Sequence, residues 1–221
     1  MTSTAASEPR AALLGDVVGS RTAQDRKALH DTLSSALTDV SAEVHTLDRL
    51  QVTAGDEFQG TFSSVGESLY AALLLRLRLP TEIDVRVGVG WGPVTVLDPT
   101  HGTQDGPAWW AARAAIDWVE RQQSQTGWHG VRTAYRCADP APEGQPGPDP
   151  RAVEAALLCQ DQLVSLLDER SRHILEGLMH GQTQARLAED LGLTRQAVNQ
   201  RRKHDGLPVL AAAAESLRTL T

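Results

Sequence analysis

The hydrophobic and polar positions along the chain predict strands alternating with helices at first, and helices alone after about residue 150. Short apolar runs bounded by turn residues indicate strands, and apolar residues at helical spacing indicate the segments between them. The predicted order is βαββαβ(β)αβ, which gives an α+β or α/β sheet with helices packed on it. The strands fall at 11–18, in the two arms of a hairpin around 55–56, and at 83–90, 94–97 and 131–135. The helices between them fall at about 23–40, 64–79 and 107–123.

The later part of the chain begins with a proline-rich segment. Residues 138–150 contain five prolines and two glycines, a composition typical of a linker. Five helices are predicted beyond it, at 151–167, 170–179, 184–191, 194–204 and 209–220. The pattern therefore predicts a disordered tail, a mixed domain, a linker and a small all-α domain, over residues 1–10, 11–137, 138–150 and 151–221.

Two aspartates lie where predicted strands end. Gly55 and Asp56 form the expected hairpin tip, because a glycine beside an acidic residue supplies the positive φ that tight hairpins need. Asp16 ends the first strand, and the turn after it is expected to present backbone N–H groups to phosphate. If the two strands are neighbours, the carboxylates converge and form a metal pair. The alternative is that both aspartates belong to ordinary surface turns.

Composition narrows the class of protein. Hydrophobic residues make up 41% of the chain, enough for a core, and no apolar run approaches the roughly 18 residues of a membrane span. The first ten residues lack a signal-peptide pattern. Cys137 and Cys159 have neither metal-binding nor disulfide spacing. We therefore expect a cytoplasmic protein without a membrane partner.

The charge is uneven along the chain. Nine basic and nine acidic residues balance in 151–221, so the net charge of −7 resides in residues 1–150. A region this acidic is expected to hold phosphates only locally, through a metal ion or backbone N–H groups. It is not expected to bind nucleic acid over its whole face.

Four motifs in residues 11–125 resemble the catalytic domain of class III nucleotidyl cyclases, relatives of diguanylate cyclase (GGDEF) domains and polymerase palms. Asp16 and the Gly55-Asp56 pair match the two metal-binding aspartates of that family. Residues 85–94 look like its Arg-x-Gly-x-x-x-Gly strand, and residues 111–113 match its Ala-Ala-Arg motif. The combination of Gly-Asp-Val-Val-Gly-Ser with Gly-Asp-Glu-Phe-Gln-Gly looks closest to the SatD family.

This resemblance implies a ferredoxin-like or palm-like sheet, Mg²⁺ held by Asp16 and Asp56, and a purine nucleotide as ligand. Mg²⁺ prefers hard oxygen ligands and leaves room for phosphates, so one or two carboxylates suffice. The arginine at the position of Arg113 steadies the phosphates in the family, whereas the alternative here is a helix-surface arginine paired with Asp117. The implied nucleotide site comprises Val17, Val18, Gly19, Ser20, Arg21, Gly55, Trp109 and Arg113.

The chain also departs from the cyclase pattern. Trp109 stands where the family has an asparagine that orients the ribose, and Val52 stands where it has a lysine that reads adenine. These changes indicate either a different nucleotide or nucleotide binding without turnover, and we expect turnover to be slow or absent. Three tryptophans are candidates for stacking on the base, or alternatively for filling a core or a dimer seam: Trp91, Trp109 and Trp110.

Residues 184–200 resemble a bacterial helix-turn-helix. Ala188 is small where two helices cross, Gly192 allows the turn, and Thr194 caps the second helix. The second helix has side chains of the types that read base edges and hold phosphates. The expected DNA-binding residues are Thr194, Arg195, Gln196, Asn199, Gln200, Arg202 and Lys203. Arg201 occupies a position that is usually apolar in such motifs, and the alternative is a helical hairpin used for dimerisation.

Together these patterns predict a nucleotide-responsive, DNA-binding transcriptional regulator. Its cyclase-like domain is expected to bind a purine nucleotide with Mg²⁺, and its second domain to bind operator DNA. A homodimer is expected, because class III sites form between two subunits and a helix-turn-helix needs two half-sites. The alternatives are an active nucleotidyl cyclase in which Arg113 is catalytic, and a dimeric scaffold with neither activity.

Overall fold

The computed structural model describes residues 8–20, 25–100 and 102–221. Within them the strands are β1 (Pro9–Val17), β2 (Thr46–Ala54), β3 (Glu57–Phe62), β4 (Val85–Pro93), β5 (Thr95–Asp98), β6 (Thr103–Asp105) and β7 (Thr133–Cys137). The helices are α1 (Arg26–Glu43), α2 (Val65–Arg78), α3 (Pro107–Gln123), α4 (Pro150–Ser165), α5 (Glu169–Met179), α6 (Gln184–Asp190), α7 (Arg195–His204) and α8 (Leu207–Arg218). None of these helices is long and apolar enough to cross a bilayer. Most of the predicted tail lies outside the described residues, and Pro9 and Arg10 already belong to β1.

Five strands form one sheet in the order β2-β3-β1-β4-β7. β1 is antiparallel to both β3 and β4, β2 is antiparallel to β3, and β7 joins the edge parallel to β4. The first four strands of this sheet and the helices α1 and α2 have the βαββαβ connectivity of ferredoxin-like folds. The mixed α+β fold predicted from the sequence is therefore confirmed.

The two faces of the sheet carry different helices. Alternate residues of a strand point to opposite faces. Leu13 and Val17 of β1 join α1 and α2 in the main hydrophobic core, whereas Ala12 packs with Ala108 of α3 on the other face. Asp16 shares the parity of Ala12. The end of β1 therefore presents its carboxylate on the α3 face.

The hairpin that carries the second aspartate has the predicted form. β2 and β3 pair antiparallel, with Ala54 opposite Glu57. Gly55 adopts a φ of +64°, which lies in the left-handed region that glycine enters without steric cost. The tip of this stiff ribbon therefore consists of Gly55 and Asp56, as predicted.

Helix α2 connects the sheet to the C-terminal helices. Its first turn is capped by Ser64, whose hydroxyl accepts a hydrogen bond from the N–H of Glu67 at 3.2 Å. Leu69 packs in the main core, and Leu73 and Leu77 pack in a second core formed with α5 to α8. A helix that is apolar all round must be covered on more than one side. The C-terminal helices provide that cover, and the structure does not show a separate all-α domain.

A buried ion pair strengthens this attachment. Arg76 of α2 is 2% exposed, and its Nη1 donates to Oδ1 of Asp161 on α4 at 2.6 Å. Oδ2 of Asp161 accepts the backbone N–H groups of Arg132 and Thr133 at 2.7 Å each. Removing either charge would leave an uncompensated buried ion, which typically costs about 3–5 kcal/mol. Helices α2 and α4 and the start of β7 are thereby fixed together.

The proline-rich segment is ordered against the sheet. The indole N–H of Trp91 donates to the backbone oxygen of Gln145 at 2.9 Å. A Cβ on Gly147 would lie 2.6 Å from Cδ1 of Trp91, so this glycine allows the chain to approach the ring closely. Strand β6 lies in the segment 98–106, which the sequence predicted to be a loop. The prediction was wrong for this strand because its three polar residues show no alternation of apolar and polar positions.

Candidate functional site

Strand register brings Asp16 opposite an arginine. Asp16 of β1 pairs with Arg86 of β4 in the antiparallel ladder. Nε of Arg86 donates to Oδ1 of Asp16 at 2.7 Å, and Nη2 donates to Oδ2 at 3.1 Å. This two-pronged contact fixes the orientation of the carboxylate, because a planar guanidinium matches both oxygens at once.

The same arginine also reaches helix α3. Nη1 of Arg86 donates to Oε1 of Glu120 at 3.0 Å. The helix lies very close to β4, as shown by the 2.0 Å that would separate a Cβ on Gly90 from the backbone oxygen of Ala108. Only glycine permits that separation. The glycines of β4 thus position α3, and α3 positions its acidic residues beside Asp16.

The hairpin tip faces the middle of α3. Glu57, the first residue after the tip, lies 3.6 Å from Nη2 of Arg113. Both side chains are about half exposed, so this pair contributes little to stability. The alternative partner considered for Arg113, Asp117, lines the same cavity. Arg113 therefore lies at the edge of the site with its guanidinium accessible.

These elements enclose a cavity of about 480 Å³ between β1, the hairpin tip and α3. Its described lining residues are Asp16, Val17, Gly19, Ser20, Asp56, Glu57, Arg86, Arg113, Ile116, Asp117 and Glu120. Five of these side chains are carboxylates and two are guanidiniums. The cavity is therefore acidic. It favours cations, and an anionic ligand needs a cation to enter with it.

Burial and charge act together on Asp16. Burial raises the pKa of the Asp16 carboxyl above its usual value, and the charges of Asp56 and Glu120 raise it further. The hydrogen bonds and charge of Arg86 act in the opposite direction and lower that pKa. The pKa remains raised, so the ionised form of Asp16 is less stabilised by its surroundings than in an exposed aspartate.

The donor set fits a Mg²⁺ ion held jointly with a ligand. Asp16 and Asp56 supply hard carboxylate oxygens, and Asp56 is close enough to influence the charge state of Asp16. The described residues contain no group of three or more His, Cys, Asp or Glu side chains arranged to hold a metal by themselves. Mg²⁺ usually takes one or two protein carboxylates and completes its shell with water and phosphate. The fit is therefore to a shared ion and not to a closed protein cage.

The structure brings together most of the expected nucleotide-binding residues. Val17, Gly19 and Ser20 line the cavity, as does Arg113. Val18 lies in an adjoining depression beside α1. Of the three remaining expected residues, Gly55 lies at the hairpin tip beside Asp56, Arg21 lies outside the described residues, and Trp109 is buried.

Trp109 does not reach the cavity. It is 9% exposed and packs with Ala12, Val94 and Ala112 between the sheet and α3. Trp91 is buried as well, under the proline-rich segment. Trp109 is buried because α3 packs closely on β4, which turns this side of the helix toward the sheet. These two tryptophans therefore fill cores and do not present a face to a ligand.

Sequence reasoning missed several residues of the cavity. Arg86 belongs to the predicted strand motif, and its charge interrupts the run of apolar residues and glycines from Val85 to Gly90. That lone charge was the available signal. Glu57, Asp117 and Glu120 gave no such signal, because acidic residues at turns and on helix surfaces are common.

The candidate DNA-binding residues lie on α7 and its cap. The hydroxyl of Thr194 accepts the N–H of Ala197 at 3.1 Å and caps the helix, as expected. Arg201 forms an ion pair with Asp168 at 2.7 Å, which explains a charged residue where an apolar one was expected. Thr194, Arg195, Gln196, Gln200 and Lys203 are exposed, and Asn199 and Arg202 are half-buried.

The fold and the cavity define an α+β protein with a ferredoxin-like sheet and an acidic site at the end of β1. The SatD family model matches residues 10–220, and the chain belongs to the SatD family. The match includes the C-terminal helices together with the sheet. No curated protein matches the chain.

Among solved structures, the chain is similar to nucleotidyl cyclase domains. The catalytic core of a rhodopsin-guanylyl cyclase with converted specificity, in complex with ATPαS, has 20% identity and a TM-score of 0.42 over 50% of this chain and 72% of that one. The monomeric guanylyl cyclase domain of a RhoGC fusion protein from the aquatic fungus Blastocladiella emersonii has 19% identity and a TM-score of 0.38, over 50% and 75%. A bacterial light-regulated adenylyl cyclase has 12% identity and a TM-score of 0.44, over 57% and 74%. None of these comparisons indicates a helix-turn-helix, DNA binding or a homodimer.

Proposed function

We propose that the cavity binds a purine nucleotide whose phosphates share a Mg²⁺ ion with Asp16 and Asp56. The observation that supports this most strongly is the convergence of the two carboxylates and Arg113 on one acidic cavity of about 480 Å³. An anion alone is disfavoured among five carboxylates, so the phosphates must enter with a cation. The nucleotide affinity is therefore expected to depend on the divalent ion.

Different residues of the cavity would contact different parts of such a ligand. Asp16 and Asp56 would hold the ion, which supplies the positive charge that phosphate oxygens need. Arg86 keeps the Asp16 carboxylate in a fixed orientation through its two hydrogen bonds. Arg113, freed from its long contact with Glu57, offers a planar fork to phosphate oxygens. Backbone groups of the turn after β1 border the same space.

The residues at positions 109 and 52 favour nucleotide binding with slow or absent turnover. A cyclase-type reaction depends on holding the ribose hydroxyl and the phosphate in line. Trp109 is buried at the position where the cyclases have a ribose-orienting asparagine. Val52 lies in β2 with no side-chain hydrogen-bond donor. A ligand held at its phosphates and free at its ribose would bind without reacting efficiently.

We also propose that the C-terminal helices of a homodimer bind DNA, and that the bound nucleotide controls this binding. The supporting observation is that α7 carries exposed Arg195, Gln196 and Lys203 on a helix whose first turn is capped by Thr194. Exposed basic and amide side chains at the start of such a helix suit the major groove. Helix α2 packs against both the sheet and the C-terminal helices, so a change at the sheet can alter how these helices are presented. An electrophoretic shift of its own upstream DNA, with and without nucleotide, tests this part.

Isothermal titration of the protein with ATP or GTP, in Mg²⁺ and then in EDTA, tests the binding itself. We expect saturable binding that is lost when the divalent ion is removed. A pyrophosphate-release assay on the same samples distinguishes binding from catalysis. Rapid release of pyrophosphate would favour an active cyclase, and binding that is unchanged in EDTA would contradict the role of the two aspartates.

A further inference from the structure

One face of helix α3 extends beyond the cavity. Arg113, Asp117 and Glu120 line the cavity from this face. Trp110 precedes Arg113 by three residues, and residues three apart are neighbours on a helix surface. The rise from Trp110 to Glu120 is about 15 Å along the helix axis. The same face therefore has carboxylates beside Asp16 at one end and an aromatic ring at the other.

Trp110 differs from the other tryptophans of the chain. All five lie within the described residues, and Trp110 is the exposed one, at 63%. Trp91 and Trp109 are buried in cores. Trp118 and Trp128 are half-buried and pack edge to face, with ring centroids 6.4 Å apart. Trp110 does not line the cavity itself, but it leaves a large aromatic surface exposed to solvent about one helical turn from Arg113, which does.

The ring of Trp110 is also held in position. Its Nε1 donates to Oδ1 of Asp105 at 2.8 Å, and the same oxygen accepts the backbone N–H of Gly106 at 2.7 Å. Asp105 lies in β6, where it pairs with Thr95 of β5. Because the hydrogen bond uses the edge of the indole, it fixes the ring and leaves the exposed π-surface available. An exposed side chain fixed in this way loses little conformational entropy when a flat ligand stacks on it.

We propose that Trp110 is the stacking platform for the base of the nucleotide bound in the cavity. This inference rests on the proposed function and assigns the part of that site which selects the ligand class. The phosphates bind near Asp16 and Asp56, Arg113 lies between, and the base lies on the indole. Stacking tolerates any base and strengthens with ring area, so the site should prefer purine nucleotides to pyrimidine nucleotides and should bind both better than bare polyphosphates.

The test compares ATP and inorganic tripolyphosphate, each titrated with Mg²⁺ into the full chain and into Trp110→Ala and Trp110→Phe. Stacking on an aromatic side chain is worth about 1–3 kcal/mol per base, so Trp110→Ala should weaken ATP binding by roughly 5- to 150-fold. Tripolyphosphate affinity should stay within about twofold of the wild type, because it does not reach the indole. Trp110→Phe keeps a stacking ring and should recover most of the ATP affinity.

Two results would overturn the inference while leaving the proposed function in place. One is unchanged ATP affinity in Trp110→Ala. The other is an equal loss for ATP and tripolyphosphate, together with a changed sedimentation coefficient, which would assign Trp110 to self-association. If the wild type binds neither ligand in Mg²⁺, the proposed function itself fails. Thermal unfolding of both variants checks that each remains folded, since an exposed tryptophan can be replaced with little loss of core packing.

Discussion

Arg86 donates hydrogen bonds to both carboxylate oxygens of Asp16, at 2.7 and 3.1 Å, and thereby competes with a second cation for that carboxylate. The arginine is 15% exposed and the aspartate 23%. The pair is thus largely removed from water, and its contacts are stronger than those of an exposed ion pair. The end of β1 therefore already contains one positive charge, and the Asp16 oxygens keep further lone pairs for a metal ion shared with Asp56.

Replacing Arg86 tests this arrangement. Arg86→Met should strengthen the binding of Mg²⁺ alone, because the guanidinium no longer competes for the oxygens of Asp16. It should also lower the free energy of unfolding by about 1–3 kcal/mol, since a partly buried carboxylate loses its partner. Arg121→Met, at an exposed position of α3 outside the cavity lining, is the control for loss of an arginine charge. Calorimetric titration with Mg²⁺ and denaturant unfolding measure both effects, and equal Mg²⁺ affinity in the two variants would contradict the competition.

The charge state of Asp16 should make ligand binding depend on pH. Burial raises the pKa of Asp16 above the reference value of 3.8, and the charges of Asp56 and Glu120 add to this. Mg²⁺ binds the ionised carboxylate, so nucleotide affinity should be level near neutral pH and fall as the pH is lowered through this raised pKa. Titrations in Mg²⁺ over a series of pH values measure it. A level affinity down to the range of an exposed aspartate would contradict the prediction.

The free energy of unfolding should also depend on pH through Asp16, but in the opposite direction to the nucleotide affinity. The folded state holds the Asp16 proton more tightly than the unfolded chain does. The contribution of Asp16 to the free energy of unfolding is therefore largest below 3.8 and decreases as the pH rises through the folded-state pKa. This trend is separated from those of other acids by comparing wild type with Asp16→Asn in denaturant unfolding at several pH values.

The glycines of β4 should be essential for the position of α3. A Cβ at Gly90 would lie 2.0 Å from the backbone oxygen of Ala108 and 2.3 Å from the backbone nitrogen of Ala112. Gly90→Ala therefore has to displace the helix, which we expect to cost about 1–3 kcal/mol or more and to weaken nucleotide binding by moving Arg113. Gly130→Ala is the control, because its new Cβ would meet side-chain atoms of Ser165 and Gln162 that can move. Denaturant unfolding that ranks Gly130→Ala as the more damaging change would contradict this explanation.

The proposed DNA contacts of α7 predict two different kinds of loss. Arg195, Gln196 and Asn199 should carry sequence preference, so Gln196→Ala should cost roughly 1–3 kcal/mol on a specific duplex and relax the preference at one position. Thr194, Arg202 and Lys203 should contact phosphates, so Lys203→Ala should weaken all duplexes alike and lower the salt slope by about one. Competitive binding to specific and random duplexes at several salt concentrations distinguishes them. Equal, salt-proportional losses for both variants would refute the division of roles, and no binding to any duplex at low salt would refute DNA binding.

The parts of the fold that depend on local signals could be predicted from the sequence. Helix α3 runs from Pro107 to Gln123 as predicted, because a proline suits the first turn and the apolar spacing is regular. The hairpin tip followed from Gly55 beside Asp56. The five C-terminal helices were also recognised, but their attachment to the sheet was not. That attachment depends on which sides of α2 are covered, and its signal, a run of leucines from Leu69 to Leu77, does not name the partners.

The contacts of the candidate site could be predicted only in part, because they depend on register and on helix rotation. The pairing of Asp16 with Arg86 follows from how β1 aligns with β4, which neither strand specifies alone. The choice between Trp109 and Trp110 follows from the side of α3 that rests on Gly88 and Gly90. The alternation of glycines in β4 marks a close approach of another element, but it does not show which side of that element is turned inward.

The central claim is that Asp56 and Asp16 share a metal ion with a nucleotide, and Asp56→Asn tests it most directly. Asp56 lies at a hairpin tip and is not part of the Asp16–Arg86 pair, so the substitution leaves that pair in place. The control is Asp39→Asn, an exposed aspartate of α1 outside the cavity. In calorimetric titration with GTP and Mg²⁺, we predict saturable binding for the wild type and for Asp39→Asn, and no measurable binding for Asp56→Asn. The same affinity in all three proteins would contradict the claim and place the nucleotide elsewhere.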